Sequence, residues 1–585
     1  MSPGPRTDVA RSTVPSVSIE GSLLPPRLLD DLLELRVVRG TRTTGRAQLT
    51  FVDRTYTVGG SELKLGAFLE ITAIEPRTTI FAGTITAIAT EADSDGVRAV
   101  VTAHDASHQL ARERSVTTFL KQTSADAIQA IASQAGLRAT TPSSTIGPTE
   151  WAWRADSLLG QVDELCEREG WEWIVEGKNT LLCFETSSLN VPASTTTLEL
   201  GTQLVRFSAE QSGPLKTDVE VRGWDAKMKE PIRGTATTPS ESSGFQARTT
   251  APSTAKSLVT RRAVTTQKAA DVLAKSFAGA AASVTARGRG LFAPTVQPGK
   301  AVTVTGAGPG DGTYYVREVE HVYDGGTMRT SFVAGFRPPT LLTDPWRAAR
   351  PESSILASGV HSAIVSNVKD PDKLGRVAVT IPSLAEKHEL AWARVATPGG
   401  GKSRGIHWLP EVNDEVLVAF EDGDASRPVV LGGLFSSKDV PPEIGQELDN
   451  GVVTRRALVT RAGHKIELSD EEGDKAYVDI ALAGGKVRLH LGADTIDLET
   501  KDKPLRIASG NDEIVFDGKG TITIKAKTIK LAAQTDLAIE GVNVKTKATS
   551  AVELSAPTAT VKADASLKLQ SSGIAELAGS LVKIN

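Results

Sequence analysis

The last 69 residues, Asp517 to Asn585, contain no Phe, Trp, Tyr, His, Cys, Met or Arg. Instead, apolar pairs two apart recur along them: Ile522/Ile524, Ile529/Leu531, Leu537/Ile539, Val542/Val544, Val552/Leu554, Ala559/Val561, Leu567/Leu569, a looser Ile574/Leu577, then Val582/Ile584. Eight steps carry the pair starts from 522 to 582, so a pair returns every seven or eight residues, which is a solenoid period of one short strand and a corner. Such small side chains suit a narrow prism, whose axis aromatic rings would crowd. A lone chain with one short strand per period buries few apolar faces, whereas several chains wound together bury all of them. The expectation is therefore an intertwined oligomeric β-helix. An ordinary β sandwich fits less well, because 69 residues without one aromatic make a poor sandwich core.

The whole chain has 585 residues, enough for about four domains. With 66 Lys+Arg against 70 Asp+Glu the net charge is −4, so no global basic field is available to hold nucleic acid or an anionic membrane. The two cysteines, Cys166 and Cys183, cannot build a disulfide framework, and no apolar run approaches the roughly 18 residues of a membrane helix. A soluble protein folding in a reducing compartment is expected. The first sixteen residues carry two arginines and three prolines but no apolar stretch, and are read as a disordered arm rather than a secretory signal.

From about Val17 to Thr102 apolar and polar residues alternate, with Leu49/Phe51, Leu69/Ile71, Phe81/Ile85/Ala87 and Val97/Ala99/Val101 each on one face. Gly59-Gly60 and Asp93-Ser94-Asp95-Gly96 punctuate these strands as turns. The period then becomes helical. Ser124 is placed to cap a helix with Ile128, Ile131, Ala132 and Ala135 on its apolar side, ending near Gly136. Asp156 or Ser157 caps a second helix bearing Leu158, Leu159, Val162, Leu165 and Cys166, with Gly170 at its left-handed C-terminal cap. Cys166 and Cys183 both fall on apolar faces and read as buried structural thiols. Strands return from about Leu198, with Val219/Val221 and a helix around Ala269 to Ala282. This second β region echoes the first: Gly66 precedes Phe81 by the same interval that separates Gly299 from Tyr314, while Leu69/Ile71 match Val302/Val304. The echo points to a tandem duplication. Pro338-Pro339 and Pro345 mark a boundary, beyond which about 80 residues of short β runs have the scale of a small Greek-key barrel.

Few residues carry the pattern of a reactive site. Gly401-Lys402-Ser403-Arg404-Gly405 matches the spacing of a nucleophile elbow, but a turn precedes it and Ile406-His407-Trp408-Leu409-Pro410 follows where a helix is required. Ala396 stands where a phosphate loop needs its first glycine. Gly306-Ala307-Gly308-Pro309-Gly310 reads as a turn. His104 and His108 could share a metal from one helix face, yet no third ligand is near in sequence. Asp470-Glu471-Glu472-Gly473-Asp474 lacks the alternating ligands of a calcium loop and reads as a solvated hairpin. Trp151, Trp153, Trp171 and Trp173 read as core rather than as a sugar-stacking surface. No catalytic, cofactor-binding or metal-binding residue is assigned.

Val365, Asp370-Pro371, Gly375-Arg376-Val377-Ala378-Val379, Trp392-Ala393-Arg394-Val395-Ala396, Leu409-Pro410-Glu411-Val412, Asp414-Glu415-Val416-Leu417-Val418-Ala419-Phe420, Gly423-Asp424 and Pro428-Val429-Val430-Leu431-Gly432 together resemble the OB-fold module of VgrG and phage baseplate-spike proteins. Asn413 stands where that family commonly has glycine, and asparagine also tolerates a left-handed turn. Upstream, His104-Asp105-Ala106-Ser107-His108, the helix ending at Gly170-Trp171, and Pro298-Gly299-Lys300-Ala301-Val302 through Tyr314-Tyr315-Val316 are similar to the phage late-control protein D and VgrG hub. Downstream, Gly463-His464-Lys465-Ile466-Glu467-Leu468 followed by the solenoid resembles the start of a spike β-helix.

The resemblance implies a mainly β chain: tandem tube-like barrels with a small α/β insert, an OB-fold barrel, and a C-terminal intertwined trimeric β-helix. Its divisions are a disordered arm at 1–16, a first hub barrel at 17–118, an α/β insert at 119–187, a second hub barrel with a helical insert at 188–345, a linker at 346–360, an OB module at 361–440, and a neck and needle at 441–585. It implies a homotrimeric central spike of a contractile injection system, adapting a sixfold inner tube to a threefold needle that punctures a target envelope. Implied partners are the inner tube or a tube-initiator protein at the hub, baseplate proteins, and cargo effectors. No histidine follows His490 to hold an apical metal ion, so a separate PAAR-type tip protein is expected at the C-terminal end. Assembly is expected in the cytoplasm, within a phage tail-like particle that is released or injected into a target. No enzyme domain is expected between the OB module and needle or after the last repeat, and no cofactor or nucleic acid is implied. The alternative is a β-helix carbohydrate-processing enzyme or adhesin. It calls for paired carboxylates along a groove, whereas Asp536, Glu540, Glu553, Asp564 and Glu576 stand apart.

Overall fold

The computed structural model describes residues 15–58, 63–115, 119–151, 157–185, 194–211, 216–238, 244–245, 254–260, 264–280, 284–335, 359–383, 389–442, 448–449 and 451–584. The chain separates into two compact units, 1–440 and 441–585. Pro338, Pro339 and Pro345, read as a boundary, lie outside the described residues, as do Gly59 and Gly60, the arm up to residue 14 and the linker up to residue 358.

In the first unit the alternating segments form strands β1 (Ser16–Ile19), β2 (Leu32–Gly40), β3 (Thr43–Val52), β4 (Phe68–Ala73), β5 (Thr78–Asp93) and β6 (Gly96–His104). Their order in the sheet is β2-β3-β6-β5-β4-β1. Leu35, Val37, Leu49, Phe51, Leu69, Ile71, Phe81, Ile85, Ala99 and Val101 fill the core. Ala87 does not join Phe81 and Ile85. The register of β5 against β6 shifts between Ile85 and Ala87, and that extra residue turns Ala87 outward and Ile88 toward the core.

An insert follows, with α1 (Ser124–Gln134), α2 (Leu158–Glu169), β7 (Trp171–Glu176) and β8 (Thr180–Glu185). Thr123, not Ser124, caps α1: its hydroxyl accepts from the Asp126 N–H while the Asp126 carboxylate answers the Thr123 N–H. Ser124 is the first helical residue. At α2 the Ser157 hydroxyl accepts from Gly160 N–H, and Gly170 closes the helix at φ +76°. Ile128, Ile131, Leu158, Val162, Cys166, Trp171, Trp173 and Cys183 make one core.

The second β region contains β9 (Ser194–Glu199), β10 (Leu204–Gln211), β11 (Val284–Leu291), β12 (Ala301–Thr305), β13 (Gly312–Tyr323) and β14 (Met328–Ala334), in the order β10-β11-β14-β13-β12-β9. Between β10 and β11 a three-stranded sheet with Val219, Val221 and Ile232 on its buried face packs against α3 (Gln267–Ala280).

The two strand orders are the same, and the equivalence holds residue by residue. Ile85 faces Ala103 and Ala87 faces Thr102; Val316 faces Ala334 and Glu318 faces Val333, with the same one-residue shift. Leu32 and Leu204 each precede an identical shift at the start of their strands. The Gly66 N–H donates to Ile85 O, and the Gly299 N–H to Val316 O, both at 2.9 Å. Gly66 and Gly299 are thus equivalent, each at positive φ. The aromatic half of the echo is shifted by two: Leu69 faces Gly83 where Val302 faces Tyr314, and Ile71 faces Phe81 where Val304 faces Gly312. The second hairpin is two residues shorter between these positions, so the equal spacing to Phe81 and Tyr314 is coincidental. One topological difference remains, because β1 runs antiparallel to β4 whereas β9 runs parallel to β12.

The two β regions merge along one seam. Glu318 to Tyr323 of β13 pair antiparallel with Gly40 to Leu35 of β2, giving a continuous sheet through both. Tyr323 and Met328 cross it to pack in the first barrel's core, and Arg36 Nε lies 2.6 Å from Glu320 Oε1 on the outside.

Residues 360–433 then form a five-stranded sheet around Val365, Val377, Val379, Val416, Val418 and Val430. In the second unit, Arg455–Val459, Lys465–Ser469, Tyr477–Ala481, Val487–Gly492 and Ile496–Thr500 make an antiparallel meander, followed by a three-stranded one over residues 505–525. Beyond Lys525 no strand forms among the described residues. Bends recur there every seven or eight residues, at 527, 534, 542, 549, 557, 564, 572 and 580.

Gly83 shows how closely the first barrel is packed. A Cβ there would come within 2.3 Å of the His104 carbonyl oxygen, backbone that cannot move aside. Gly83→Ala is expected to cost the first unit about 2 kcal/mol, lowering its calorimetric transition by about 5 °C. An unchanged transition would show that the strands slide to make room.

Candidate assembly surfaces

Within the OB module Asp370 organises the turn after the first strand. Its carboxylate accepts the N–H groups of Asp372, Leu374 and Arg376 and pairs with the Arg376 guanidinium at 2.7 Å, while its side chain is only 4% exposed. Those bonds, led by that from Arg376, hold its carboxyl well below the usual carboxylate range. Asn413 adopts φ +77°, and its N–H donates to Val365 O, so asparagine fills the left-handed position expected of it.

The module is tied to the helical insert that holds α2. Arg168 at the end of α2 reaches Glu164 at 2.8 Å and Asp424 at 3.6 Å. Desolvation lowers the pKa of this buried guanidinium, and the Asp424 carboxylate opposes that shift. Arg42, in the β2–β3 turn, pairs with Asp163 of α2 at 2.7 Å, and its N–H donates to Trp173 O. Asp105 secures the end of β6 by accepting from Gly45 N–H, Ser107 N–H and Ser107 Oγ. Sequence reasoning gave none of these three anchors a role. Gly45 and Asp163 lie 60 and 121 positions from their partners, and Asp424 belongs to a different module from Arg168.

The residues weighed for chemistry are not brought together. Gly400–Gly401 pairs with Arg404–Gly405 in a short hairpin whose turn residue Ser403 is exposed at φ +54°, which is not the strand-to-helix elbow of a nucleophile. Gly308–Gly310 is a single 3-10 turn leading into β13, with no helix after it. The His104 and His108 rings stack at 4.8 Å, and His104 Nδ1 lies 2.7 Å from Thr86 Oγ1. Desolvation and neighbouring cations lower both imidazole pKa values. Among the described residues no three potential metal ligands converge anywhere. Asp470 and Glu471 pair with Arg456 and Arg455 across a hairpin. Trp171 and Trp173 are core, with Trp173 Nε1 donating to Asp163; Trp153 and the side chain of Trp151 lie outside the described residues. Cys166 and Cys183 are buried with their Sγ atoms 3.8 Å apart, and that contact together with burial pushes the Cys166 thiol up.

What the second unit presents is uncovered apolar surface. In the larger meander Leu458, Ile466, Ile480, Leu489 and Leu498 make one cross-strand row, and Leu468, Val478, Leu491 and Ile496 the next. Most of these are exposed, Ile496 to 76%. The opposite face holds buried charges: Glu467 bonds to Lys465 and Tyr477, both at 2.7 Å, and Asp479 pairs with Arg488. These bonds outweigh desolvation and lower the Glu467 pKa, while desolvation and Glu467 push the Tyr477 phenol up to about 12. From 527 to 584 every residue is exposed, including Leu554 at 87% and Ile574 at 91%. Soluble monomers rarely leave contiguous apolar surface of this extent uncovered.

A model of the type VI secretion system/phage-baseplate injector OB domain matches residues 361–435, the sheet organised by Asp370. The chain is VgrG-like. A second family model, the Alg8 N-terminal domain, matches residues 46–324, across both barrels. The type VI secretion system spike protein VgrG5 of Pseudomonas aeruginosa is 30% identical over 158 residues, 25% of this VgrG-like chain and 19% of that protein. The actin cross-linking toxin VgrG1 of Vibrio cholerae is 26% identical over 107 residues, 17% of this chain and 10% of that protein. These matches span a fifth or less of the relatives' lengths. Among solved structures, the E. coli c3393 protein, a component of the type VI secretion system, aligns at TM-score 0.46 and 15% identity, over 72% of this chain and 99% of that one.

The depressed Asp370 pKa fixes a pH dependence. A carboxylate bound more tightly when ionised stabilises the fold above its unfolded value near 4, and the contribution disappears as pH falls toward the depressed folded value. Asp370→Asn in the intact chain is expected to cost the OB module about 2 kcal/mol at neutral pH, read as about 30-fold faster amide exchange over residues 361–381. The gap between variant and parent should shrink below pH 4. A gap that persists in acid would mean that the charge is not what matters.

Proposed function

We propose that this VgrG-like chain is the homotrimeric central spike of a contractile injection system, joining a sixfold tube to a threefold needle and carrying that needle into a target envelope on contraction. The observation that carries the reading is the segment from 527 to 584: fully exposed, bent every seven or eight residues, with periodic apolar pairs that nothing among the described residues covers. Two further copies wound around it would cover each pair, at roughly 1.5–3 kcal/mol per buried side chain. They would also supply strand neighbours that one chain cannot reach at one short strand per turn. A closed prism of that kind carries axial load through a ladder without a lateral edge.

In this reading 17–118 and 188–345 are two tube-like barrels per chain, so three copies offer six barrels of one design to a sixfold tube. Residues 361–440 form the OB module and 441–585 the neck and needle. The proposed partners are the inner tube or its initiator at the hub, baseplate proteins, cargo effectors, and a PAAR-type protein at the needle tip. Assembly is proposed to occur in the cytoplasm, and the role is mechanical, without catalysis by this chain.

Light scattering of the full-length chain should give three times the chain mass of 61.7 kDa. Truncation before Asp517 should weaken the trimer. A stable monomer of 61.7 kDa would overturn the reading.

A further inference from the structure

The second β region carries an arrangement of charge that the first, built to the same strand order, does without. On the outward face of its sheet two cross-strand rows run from β10 through β11 and β14 to β13: Arg206–Arg289–Ser331–Glu320, and Ser208–Arg287–Val333–Glu318. Together they line a concave region of about 400 Å³. Arg206, Arg287 and Arg289 are exposed, and among the described residues none of the three is paired with a carboxylate. Glu320 turns the other way, to Arg36 at 2.6 Å, and Glu318 stands two strands from Arg287 with Val333 between them. Cations thus collect on one side of the concavity without a counter-charge.

The fold does not call for these cations. By the equivalence of the two strand orders, Arg206 corresponds to Glu34, Arg289 to Thr50 and Arg287 to Gln48. There Glu34 faces Thr50 and Arg36 faces Gln48, so β2 and β3 close the same ladder with no cation directly opposite another. In the second region Arg206 lies directly opposite Arg289, and like charges in register oppose strand pairing. The strand that carries them is nonetheless fixed. Gly288 and Gly290 alternate with Arg287 and Arg289, and a Cβ would come within 2.3 Å of the Phe332 ring at the first and 2.0 Å of the Gln203 carbonyl oxygen at the second. β11 therefore lies hard against its neighbours and holds both guanidiniums on a backbone that cannot shift. Three unneutralised guanidiniums around a concavity make a preorganised anion site.

We infer that this patch holds an extended acidic segment of another polypeptide, with carboxylates on alternate residues. In an extended chain the side chains of residues i and i+2 lie on one side about 7 Å apart, the spacing that Arg287 and Arg289 have along β11. One carboxylate bridges Arg289 and Arg206 across the strands, the next meets Arg287, and the Ser208 and Ser331 hydroxyls stand beside them as further donors. The bound acids also remove the repulsion between Arg206 and Arg289. Nucleic acid fits less well, because Phe332, the one aromatic among the described residues lining the concavity, is buried in the core and offers bases no face to stack on. The inference goes beyond the spike reading and holds for one copy of the chain as for three.

Fluorescence anisotropy of the purified full-length chain with a short fluorescein-labelled peptide that alternates glutamate and threonine tests the site. Saturable binding is expected, and Arg287→Gln combined with Arg289→Gln should weaken it about tenfold. Ser208→Glu, which brings a carboxylate into the patch, should weaken it too, and guards against a double variant that fails to fold. Arg46→Gln with Arg98→Gln takes the same charge from the outward face of the first β region and should leave the affinity unchanged. The same peptide with glutamine in place of glutamate should not bind. No saturable binding, equal losses in the two double variants, or tighter binding of oligothymidine than of the acidic peptide would each overturn the site. The spike reading fails on mass and this inference on binding, so the two failures are told apart.

Discussion

An unpaired strand edge is the constraint on which this architecture turns. Backbone N–H and C=O groups along an edge need partners, and a flat exposed edge recruits them from other chains. Among the described residues the two β regions meet that requirement for each other where β13 and β2 zip together and share a core through Tyr323 and Met328. That seam makes one continuous sheet of the two β regions. The helical insert, the OB module and the long-range pairs Arg42–Asp163 and Arg168–Asp424 are secured around this frame.

The second unit meets the same constraint differently. Its meanders satisfy their own ladders but leave an apolar face in the open, while the charged face is consolidated by Glu467, Tyr477, Asp479 and Arg488. The segment after Lys525 goes further and satisfies neither ladder nor core among the described residues. In the proposed trimer, a sequence that alternates small apolar residues with corners every seven or eight positions draws its stability from association, which suits a part that must be stiff only once assembled.

Much of this was legible in the sequence, for identifiable reasons. Period-two alternation located the strands around Leu49, Leu69 and Val101 because each has one buried face. Gly170 marked a helix end because only a left-handed residue closes it there. The OB module could be recognised because Asp370, Arg376 and the Gly423-Asp424 turn are local chemistry. The duplication was visible through Gly66 and Gly299, whose backbone role is identical, but Phe81 and Tyr314 misled because a hairpin of different length restored the same spacing. Ala87 was misplaced because a bulge inverts the alternation without any marker in composition. Thr123 was passed over for Ser124 because both are capping residues, and only the answering Asp126 distinguishes them. The meanders between 455 and 525 were not separated from the needle, although their longer alternating runs and Gly-containing turns carried the signal. The seam could not be read at all, since nothing in β2 names a partner as remote as β13, whose Glu320 stands 284 positions beyond the Arg36 it engages.

The central claim is that two barrels of one design, taken three times, make a six-position ring. Electron cryomicroscopy of the purified full-length chain, viewed end-on, tests it most directly. The account predicts a closed ring of six similar lobes around a central opening, with threefold symmetry in detail. Isolated two-lobed particles would contradict it.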